Sequence, residues 1–383
     1  MNKTDIVLVA NSPGELSALV KPVARAFKEK SKDSRVILFL TPCQYASGKE
    51  VEYARKNLAV DEIVSAEEYR KWLFGKTLPF TFGSSGVCLF LGGDLLHATM
   101  IAKKLNYKAY AYLSGNLIGW ANFFRKFFIP DRQALEYFLK KRIPDEKLKV
   151  TGDLMAEGIN SQSRNEARAA WHLDPQSLVV AFMPGSRKWE IAFMLPLYEK
   201  IGKILKKNDP ELKLMLIVSQ FVSVETFLEY KEHHIFDVFA NFESLNAADL
   251  AVTIPGTNTA QIAALGLPML VVFPLDKPEV IPLEGVIHYI SNIPVIRYPI
   301  KRFIAWLINK KTKFFALPNI KANREIVPEI RGKIDPQFAA EAIIKLLKDK
   351  AKLSQMSKEV KEAMGESGAA SYIVEEILNE ALS

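Results

Sequence analysis

The chain is poor in cysteine and has no long hydrophobic run. Its 383 residues include only two cysteines, Cys43 and Cys88, which form no C-x-x-C pair, so neither a zinc site nor a disulfide framework is indicated. No apolar run approaches the roughly 18 residues needed to span a bilayer, and the amino terminus lacks the pattern of a signal peptide. These absences predict a cytoplasmic protein whose contact with any membrane is peripheral.

The composition describes a soluble globular protein with a surplus of basic residues. Hydrophobic residues make up 49% of the chain and charged residues 25%, and the length favours two domains. The formal charge of +8 suits anionic partners such as nucleic acid, nucleotide-bearing substrates or an acidic membrane, although it also serves solubility alone. No recognised nucleic-acid-binding motif accompanies the charge, so we predict no nucleic acid partner.

Short apolar runs alternate with amphipathic segments in two series, which predicts an α/β fold with parallel sheets. The first series comprises DIVLVA, RVILFL, VCLFL and YKAYAYL, and the second SLVVAFMPGS, KLMLIVSQ, DLAVTI and PMLVVF. The polar residues 156–168 lie between them, and from Pro336 onward the pattern is helical. We expect two Rossmann-like halves that face each other across a cleft at the carboxyl ends of their strands, where ligands of α/β proteins bind.

The first strand-to-helix turn, VANSPGELSALV, has two interpretations. Ser12 fits a helix N-cap, Pro13 the first helical position and Glu15 the third, which is a capping box. Alternatively, Gly14 has no side chain and lets a ligand approach a helix N-terminus, which favours anions. The turn alone does not decide between a helix cap and a ligand site.

A turn in the second half, FMPGSRKWEI, joins an apolar strand to an amphipathic helix. Gly185 and Ser186 suit a tight turn, and Arg187 stands at the helix start. Backbone N–H groups and a planar guanidinium together suit a diphosphate. An ordinary turn with a surface arginine explains the same residues.

The segment AADLAVTIPGTNTAQIAALGLPMLVVFP predicts a strand, a glycine turn, a small-residue helix that ends before Gly266, and another strand. Backbone donors and hydroxyl groups at the start of this helix suit phosphate oxygens; they belong to Gly256, Thr257, Asn258 and Thr259. The plainer interpretation is a helix capped by threonine. Two such turns in one half favour a nucleotide site.

The segment LFLGGDLLHAT places Asp94 after a strand and His97 one turn later. An acidic side chain at the carboxyl end of a strand is a candidate general base for an attacking hydroxyl. Asp94 is also a normal helix N-cap. His97 is an alternative base, although a histidine in this position is equally explained as a side chain packed in the core.

Two stretches combine aromatic and basic residues, GWANFFRKFFIPDR and YPIKRFIAWLINKKTKFFALP. Such segments lie well at an anionic lipid surface. Core aromatics with solvated cations are the alternative, and for Phe127 and Phe128, in a predicted strand, they are the favoured one.

Three stretches of the chain resemble the lipid-A-disaccharide synthases, which are GT-B glycosyltransferases. The stretches are MPGSRKWEI, NAADLAVTIPGTNTAQIAALGLPMLVVF and LPNIKANREIVPEI, and VTGDLMAEGI resembles the family's link between its domains. The resemblance implies two facing Rossmann-like domains, a UDP-sugar donor in the second half, and an inverting transfer without a metal or cofactor. It also implies a glycolipid acceptor and peripheral association with the inner face of the cytoplasmic membrane.

The resemblance assigns donor-side roles more completely than acceptor-side roles. Gly185, Ser186 and Arg187 match the diphosphate turn, and the nucleotide loop is matched by Gly256, Thr257 and Thr259. The late motif that lines the donor site is matched by Asn323, Arg324 and Glu325. Gln261 replaces a family glutamate that contacts the ribose. On the acceptor side only Gly14-Glu15 is shared, and Asp94 falls near the segment that supplies the base.

We predict an acceptor domain at residues 1–158, a UDP-sugar domain at 159–355, and terminal helices from about 356 to 383 that return to the first domain. The predicted function is transfer of an acylated glucosamine from a UDP-sugar to a glycolipid. The alternatives are a UDP-sugar epimerase, a transferase with another acceptor, and an inactive UDP-sugar- or lipid-binding protein. The sequence does not define the oligomeric state.

Overall fold

A computed structural model describes residues 4–43, 46–113, 115, 119–157, 162–222, 235–275, 310–365 and 368–382. The chain divides into two compact units. The first comprises Met1–Ile159, Gln220–Val222 and Gly365–Ser383, and the second Asn160–Ser219 and Ser223–Met364. Each unit contains one parallel sheet with helices, so the predicted α/β class with two parallel sheets is confirmed.

The first unit is built on a seven-stranded sheet in the order β3-β2-β1-β4-β5-β6-β7, in which all neighbouring strands are parallel. Its strands are β1 Asp5–Ala10, β2 Arg35–Leu40, β3 Glu62–Val64, β4 Gly86–Phe90, β5 Lys108–Tyr112, β6 Lys126–Ile129 and β7 Leu148–Val150. Its α-helices are Pro13–Glu15, Lys21–Lys30, Glu50–Asn57, Ala66–Leu73, Leu95–Leu105, Arg132–Lys140 and Ala369–Leu382, with a π-helical turn at Leu16–Val20 and 3-10 turns at Asp145–Lys147 and Leu154–Ala156.

The central strands of this sheet are buried on both faces, which is why β1, β2 and β4 read as continuous apolar runs. Successive side chains of a strand point to opposite faces of the sheet. In β1, Ile6 and Leu8 belong to one core cluster, and Val7 and Val9 belong to the other. The core of the first unit therefore lies on both sides of β1, and the carboxyl ends of the strands remain available for a site.

The last helix, Ala369–Leu382, belongs to the first unit. Ile373 and Ile377 are buried in the same cluster as Ile6. Lys126 forms an ion pair with Glu376 at 2.5 Å, and the carboxylate of Glu157 accepts the backbone N–H of Gly368 at 2.6 Å, just before the helix. The helix is thus held by apolar contacts, by charge and at its N-terminus.

A buried ionic network lies at the amino end of β1. The side chain of Asp5 is fully buried and accepts two hydrogen bonds from Arg35, from Nε and Nη2, both at 2.9 Å. It also accepts the N–H of Gly83 at 2.7 Å and the hydroxyl of Tyr107 at 2.9 Å. Because this network is at the amino edge of the sheet, opposite the carboxyl edge, we assign it to stability.

The second unit contains a six-stranded sheet in the order β10-β9-β8-β11-β12-β13, with parallel neighbours throughout. Its strands are β8 Val179–Met183, β9 Lys213–Ile217, β10 Val238–Ala240, β11 Leu250–Thr253, β12 Met269–Pro274 and β13 Glu329–Gly332. Its α-helices are Arg164–Ala170, Lys188–Asn208, Thr257–Ala264, Leu317–Ala322, Pro336–Lys348 and Lys350–Met364, with a 3-10 turn at Phe242–Ala247.

The structure describes all of the first aromatic and basic stretch but only the later part of the second. In the first, Phe127 and Phe128 lie in β6 and are buried, which confirms the core interpretation for these two residues, whereas Trp120 is 55% exposed. In the second, residues 298–309 lie outside the described residues, and Phe315 packs against Phe273 with ring centroids 4.9 Å apart. No helix in the described parts of the chain is long and apolar enough to cross a membrane.

Candidate functional site

The strand order of the first sheet marks one place at its carboxyl edge for a ligand. The chain runs from β1 to β2 and β3 on one side, and then returns to β4 on the other side of β1. At such a switch point the helices after the two central strands leave in opposite directions, which opens a crevice where ligands bind. The turns after β1 and β4 are those that the sequence singled out, around Gly14 and around Asp94.

Glu15 holds the turn after β1 together. One oxygen of its carboxylate, Oε2, accepts the backbone N–H groups of Asn11 at 2.8 Å and of Ser12 at 3.1 Å. The helix begins at Pro13, so the predicted helix start is confirmed, and Gly14 lies half-buried in its first turn. Burial raises the pKa of the Glu15 carboxyl, although the backbone hydrogen bonds oppose that shift.

Asp94 is exposed and caps the helix after β4. Its Oδ1 accepts the N–H of Leu96 at 2.8 Å, so the cap interpretation of this residue is correct. One oxygen is enough for a cap, and an exposed carboxylate with a second oxygen is able to accept a proton from a substrate hydroxyl. The role of Asp94 as a general base stays a prediction.

His97 is paired with a buried tyrosine. Its Nδ1 lies 2.9 Å from the hydroxyl of Tyr69, and burial raises the pKa of Tyr69 to about 12, so the tyrosine keeps its proton. That buried O–H needs an acceptor, and Nδ1 is the one it has among the described residues. The proton of neutral His97 is then on Nε2, and burial lowers the pKa of this imidazole. The arrangement favours Asp94 over His97 as the base.

The second sheet has an equivalent switch point between β8 and β11. β8 pairs with β9 on one side and with β11 on the other, so the turns after β8 and β11 leave the sheet next to each other. The first of these turns contains Gly185, Ser186 and Arg187, and the second begins at Gly256. The structure therefore brings together the two turns that the sequence predicts as a nucleotide site.

A glutamate that the sequence reasoning missed occupies the turn after β8. Glu190 accepts the backbone N–H groups of Ser186 at 2.9 Å and of Arg187 at 3.0 Å, and its other oxygen lies 3.0 Å from Arg187 Nη1. Two of the backbone donors expected to face a diphosphate are thus bonded to Glu190. The side chain of Arg187 remains one-third exposed, and the ion pair with Glu190 fixes its position at the start of the helix.

Gly185 fits this arrangement because it carries no side chain. Its φ is +112°, and an added Cβ would fall 2.3 Å from Glu190 Oε2. We expect Gly185→Ala to destabilise the second unit by about 1–3 kcal/mol, since the backbone would be strained and the carboxylate displaced. Urea unfolding followed by circular dichroism measures this loss. Gly119→Ala is the control, because its methyl group would meet no atom within 4 Å, and equal losses in the two variants would contradict the prediction.

The turn after β11 divides into a surface part and a buried part. Gly256 is exposed, and Thr257 and Asn258 are half-buried at the start of the helix. Thr259 is fully buried: its hydroxyl donates to Gly256 O at 2.8 Å and accepts the N–H of Leu317 at 3.1 Å. Thr259 therefore fixes the shape of the turn. Gly256, Thr257 and Asn258 form the part of the turn that faces solvent. Gln261 is also buried.

The late motif Asn323, Arg324 and Glu325 is an exposed loop between the helix Leu317–Ala322 and β13. Arg324 forms an ion pair with Glu359 at 3.3 Å. The loop is held by Asn319, which is fully buried, accepts the N–H groups of Ile326 and Val327, and donates to Val327 O at 2.8 Å. The bond from Leu317 to Thr259 links the start of this helix to the turn after β11.

Sequence reasoning missed Glu190, Asn319 and Glu329, which position these loops. Glu329 accepts the N–H groups of Phe315 and Ala316 at 3.0 and 2.9 Å, and Asn319 donates to it at 2.9 Å. A signal for Glu190 was present, because it stands three residues after the helix N-cap, but the N-cap is arginine rather than serine. Within the described ranges, no group of three or more His, Cys, Asp or Glu side chains is placed to hold a metal ion.

Sequence comparison relates the chain to one family. A family profile described as lipid-A-disaccharide synthetase matches residues 136–281. The lipid-A-disaccharide synthase of Escherichia coli O157:H7 (strain EC4115 / EHEC) is 25% identical over 371 residues, which cover 89% of this chain and 88% of that protein. The similarity thus extends through both units.

Comparison with solved structures identifies the fold. The putative UDP-N-acetylglucosamine 2-epimerase of Listeria monocytogenes has a TM-score of 0.65 at 11% identity, covering 99% of this chain and 97% of that chain. The UDP-GlcNAc 2-epimerase of Neisseria meningitidis, solved with UDP-GlcNAc bound, has a TM-score of 0.59 at 13% identity, covering 98% of this chain and all of that one. These likenesses confirm the predicted GT-B fold class and, at such low identity, show the fold alone.

Proposed function

We propose that the chain is a glycosyltransferase of lipid A biosynthesis and a divergent relative of the lipid-A-disaccharide synthases. In this proposal it moves an acylated glucosamine from a UDP-sugar to a glycolipid acceptor, with inversion and without a metal or cofactor. The synthases support the proposal more strongly than the epimerases, because the similarity to a synthase is twice as high, 25% against 11–13% identity.

The observation that carries the proposal is the pair of turns at the switch point of the second sheet. Arg187 is held by Glu190 at the turn after β8, and the helix start at Gly256, Thr257 and Asn258 opens at the turn after β11. A fixed guanidinium and a helix N-terminus stabilise the negative charge of a diphosphate. We assign the UDP moiety to these turns, with Gln261, Asn323, Arg324 and Glu325 in the same donor site.

The proposed reaction is a single displacement. Asp94 takes the proton of an acceptor hydroxyl as that oxygen attacks the anomeric carbon and the bond from this carbon to the UDP oxygen breaks. The electron pair of the broken bond leaves with UDP, where Arg187 and the helix start at Gly256 stabilise the developing charge. The products are the inverted glycoside, protonated Asp94 and UDP.

We expect Arg187→Ala to weaken UDP binding roughly 10- to 150-fold, because a charge-assisted contact is worth about 1.5–3 kcal/mol. Calorimetric titration with UDP measures the change. Arg25→Ala is the control, since Arg25 is an exposed arginine paired only with its helical neighbour Glu29 at 3.7 Å in the described structure. Unchanged UDP affinity in Arg187→Ala would remove Arg187 from the donor site.

Product analysis separates the proposed function from its alternatives. With an acylated UDP-glucosamine and an acylated glucosamine acceptor, the proposal predicts a disaccharide and one UDP per disaccharide, with the new glycosidic bond inverted by NMR. An epimerase would convert UDP-N-acetylglucosamine without any acceptor. A transferase with another acceptor would leave this donor intact, and a binding protein would bind UDP by calorimetry without turnover.

We also propose that the protein acts at the inner face of the cytoplasmic membrane as a peripheral protein. The proposed acceptor is a glycolipid, which belongs in a membrane, and the surplus of basic residues favours anionic lipids. Of the aromatic residues in the first stretch, Trp120 is the exposed one, because Phe124, Phe127 and Phe128 are in the core and Phe123 is partly buried against it.

A further inference from the structure

The carboxylate of Glu15 connects two turns that are far apart in the sequence. Besides the bonds from Asn11 and Ser12 to its Oε2, its Oε1 accepts the backbone N–H of Gly93 at 3.0 Å, across a separation of 78 residues. Gly93 immediately precedes Asp94. A single side chain after β1 thus fixes the backbone of the turn after β4, at the switch point of the first sheet.

The turn after β4 is shaped to admit this carboxylate. A Cβ added to Gly92 would fall 2.0 Å from Glu15 Cδ and 2.3 Å from Oε2, and its three nearest atoms all belong to that carboxyl group. Any side chain at Gly92 would therefore displace Glu15. Glu15 thus explains Gly92, whereas Gly93 has a φ of +90° and an added Cβ there would fall 2.7 Å from Asn11 Nδ2, so neither glycine needs a ligand to explain it.

Other helices of the chain begin with a glutamate in the same position, and these provide a comparison. Glu68 accepts the N–H of Ser65 at 2.8 Å, Glu166 that of Ser163 at 2.9 Å, and Glu190 those of Ser186 and Arg187. In the described structure each of these three bonds only to its own turn. The bond to a second turn distinguishes Glu15, so helix capping alone does not explain it.

We propose that Glu15 is a positioning residue that holds the Asp94 turn in place for transfer, rather than a residue that contacts the acceptor. Both oxygens of Glu15 already accept backbone hydrogen bonds. The N–H that Oε1 accepts belongs to Gly93, the residue immediately before Asp94. The inference rests on the proposed function for its catalytic part. Its structural part, the coupling of the two turns, is measurable without any substrate.

The first test measures hydrogen exchange of the segment 91–96 by mass spectrometry. We expect Glu15→Gln to accelerate exchange of the Gly93 amide at least about 10-fold. The one oxygen of glutamine satisfies two donors, Asn11 and Ser12, in the position of Oε2, and the NH₂ group then left in the position of Oε1 cannot accept the N–H of Gly93. Glu68→Gln is the matched control, since it removes the same capping carboxylate from a helix with no bond to another turn. Exchange in 91–96 that is unchanged by Glu15→Gln would overturn the proposal.

The second test measures transfer with the acylated donor and acceptor. We expect Glu15→Gln to lower kcat about 10- to 100-fold, as a displacement of about 1 Å at a reacting group does, with UDP affinity unchanged by calorimetry. A purely structural loss would lower UDP affinity and the folded fraction as well. A kcat within twofold of the parent protein, in a variant that folds, would overturn the proposal.

Gly92→Ala keeps the test valid if Glu15→Gln is poorly folded, and a double-mutant cycle with Glu15→Ala extends the test when both single variants fold. Gly92→Ala pushes the carboxylate away and leaves it in the protein, so we expect a similar loss of kcat. In the background of Glu15→Ala the added methyl group has space, and Gly92→Ala should cost less than about twofold. Additive losses would overturn the proposal. If the parent protein transfers no sugar while hydrogen exchange responds as expected, the proposed function fails and the coupling of the turns is supported.

Discussion

Replacing Asp94 by asparagine is expected to lower the turnover of sugar transfer about 10²- to 10⁴-fold without unfolding the protein. Asparagine caps a helix as well as aspartate does, so the bond to the N–H of Leu96 is retained and the helix still begins at Leu95. What is lost is the carboxylate that receives the proton of the acceptor. Initial rates with the acylated donor and acceptor, at saturating concentrations of both, measure the loss.

Asp335→Asn is the control for this experiment. Asp335 is likewise an exposed N-cap and accepts the N–H of the residue two positions later, Gln337, at 3.0 Å. The control therefore makes the same chemical change at the same kind of helix end in the second unit. A turnover of Asp94→Asn within tenfold of the control would exclude Asp94 as the base, and His97→Gln would then be the next variant to measure.

The strands at the centre of each sheet were predictable because they are buried on both faces. The runs DIVLVA and RVILFL coincide with β1 and β2, and DLAVTI contains β11. The sequence did not predict the short strands at the sheet edges, which are β3, β7, β10 and β13. These strands have three or four residues and are only partly buried, so they leave no apolar run long enough to be recognised as a strand. The central strands are also those that place the two candidate sites.

The local part of each candidate site was predictable, and the long-range part was not. The serine, proline and glutamate pattern at Ser12 predicts the helix start correctly, because a capping box is contained within four residues. The bond from Gly93 to Glu15 joins residues that no local pattern connects. The turns at Arg187 and Gly256 are predicted from the sequence as one nucleotide site, and the strand order adds that they follow two adjacent strands, β8 and β11.

Glu190 changes how the predicted diphosphate site works. The sequence suggested that backbone N–H groups and Arg187 face the ligand together, but the carboxylate of Glu190 accepts the N–H groups of Ser186 and Arg187. In the proposed donor site we therefore expect an anion to contact the guanidinium of Arg187 and the helix start at Gly256 rather than the backbone N–H groups of Ser186 and Arg187. This division of roles is why Arg187→Ala is the informative variant for UDP binding and Gly185→Ala is the informative variant for stability.

The largest effect on stability is expected at Asp5, away from both candidate sites. Asp5→Ala should lower the free energy of unfolding of the first unit by about 3–5 kcal/mol, because it leaves the buried end of Arg35 without its charged partner. Arg35 donates two bonds to Asp5, and the hydroxyl of Tyr107 and the N–H of Gly83 lose an acceptor as well. Urea unfolding followed by circular dichroism, read at the transition of the first unit, measures the loss.

Glu29→Ala is the control for Asp5→Ala, since its pair with Arg25 is exposed and should contribute less than about 1 kcal/mol. If Asp5→Ala does not fold, Asp5→Asn keeps an acceptor for Gly83 and Tyr107 and removes the negative charge together with the acceptor of Arg35 Nε. In the double variant Asp5→Ala with Arg35→Met the unpaired cation is gone, so part of the stability should return. A double variant no more stable than Asp5→Ala would show that the loss comes from the bonds to Gly83 and Tyr107 and not from the stranded charge of Arg35.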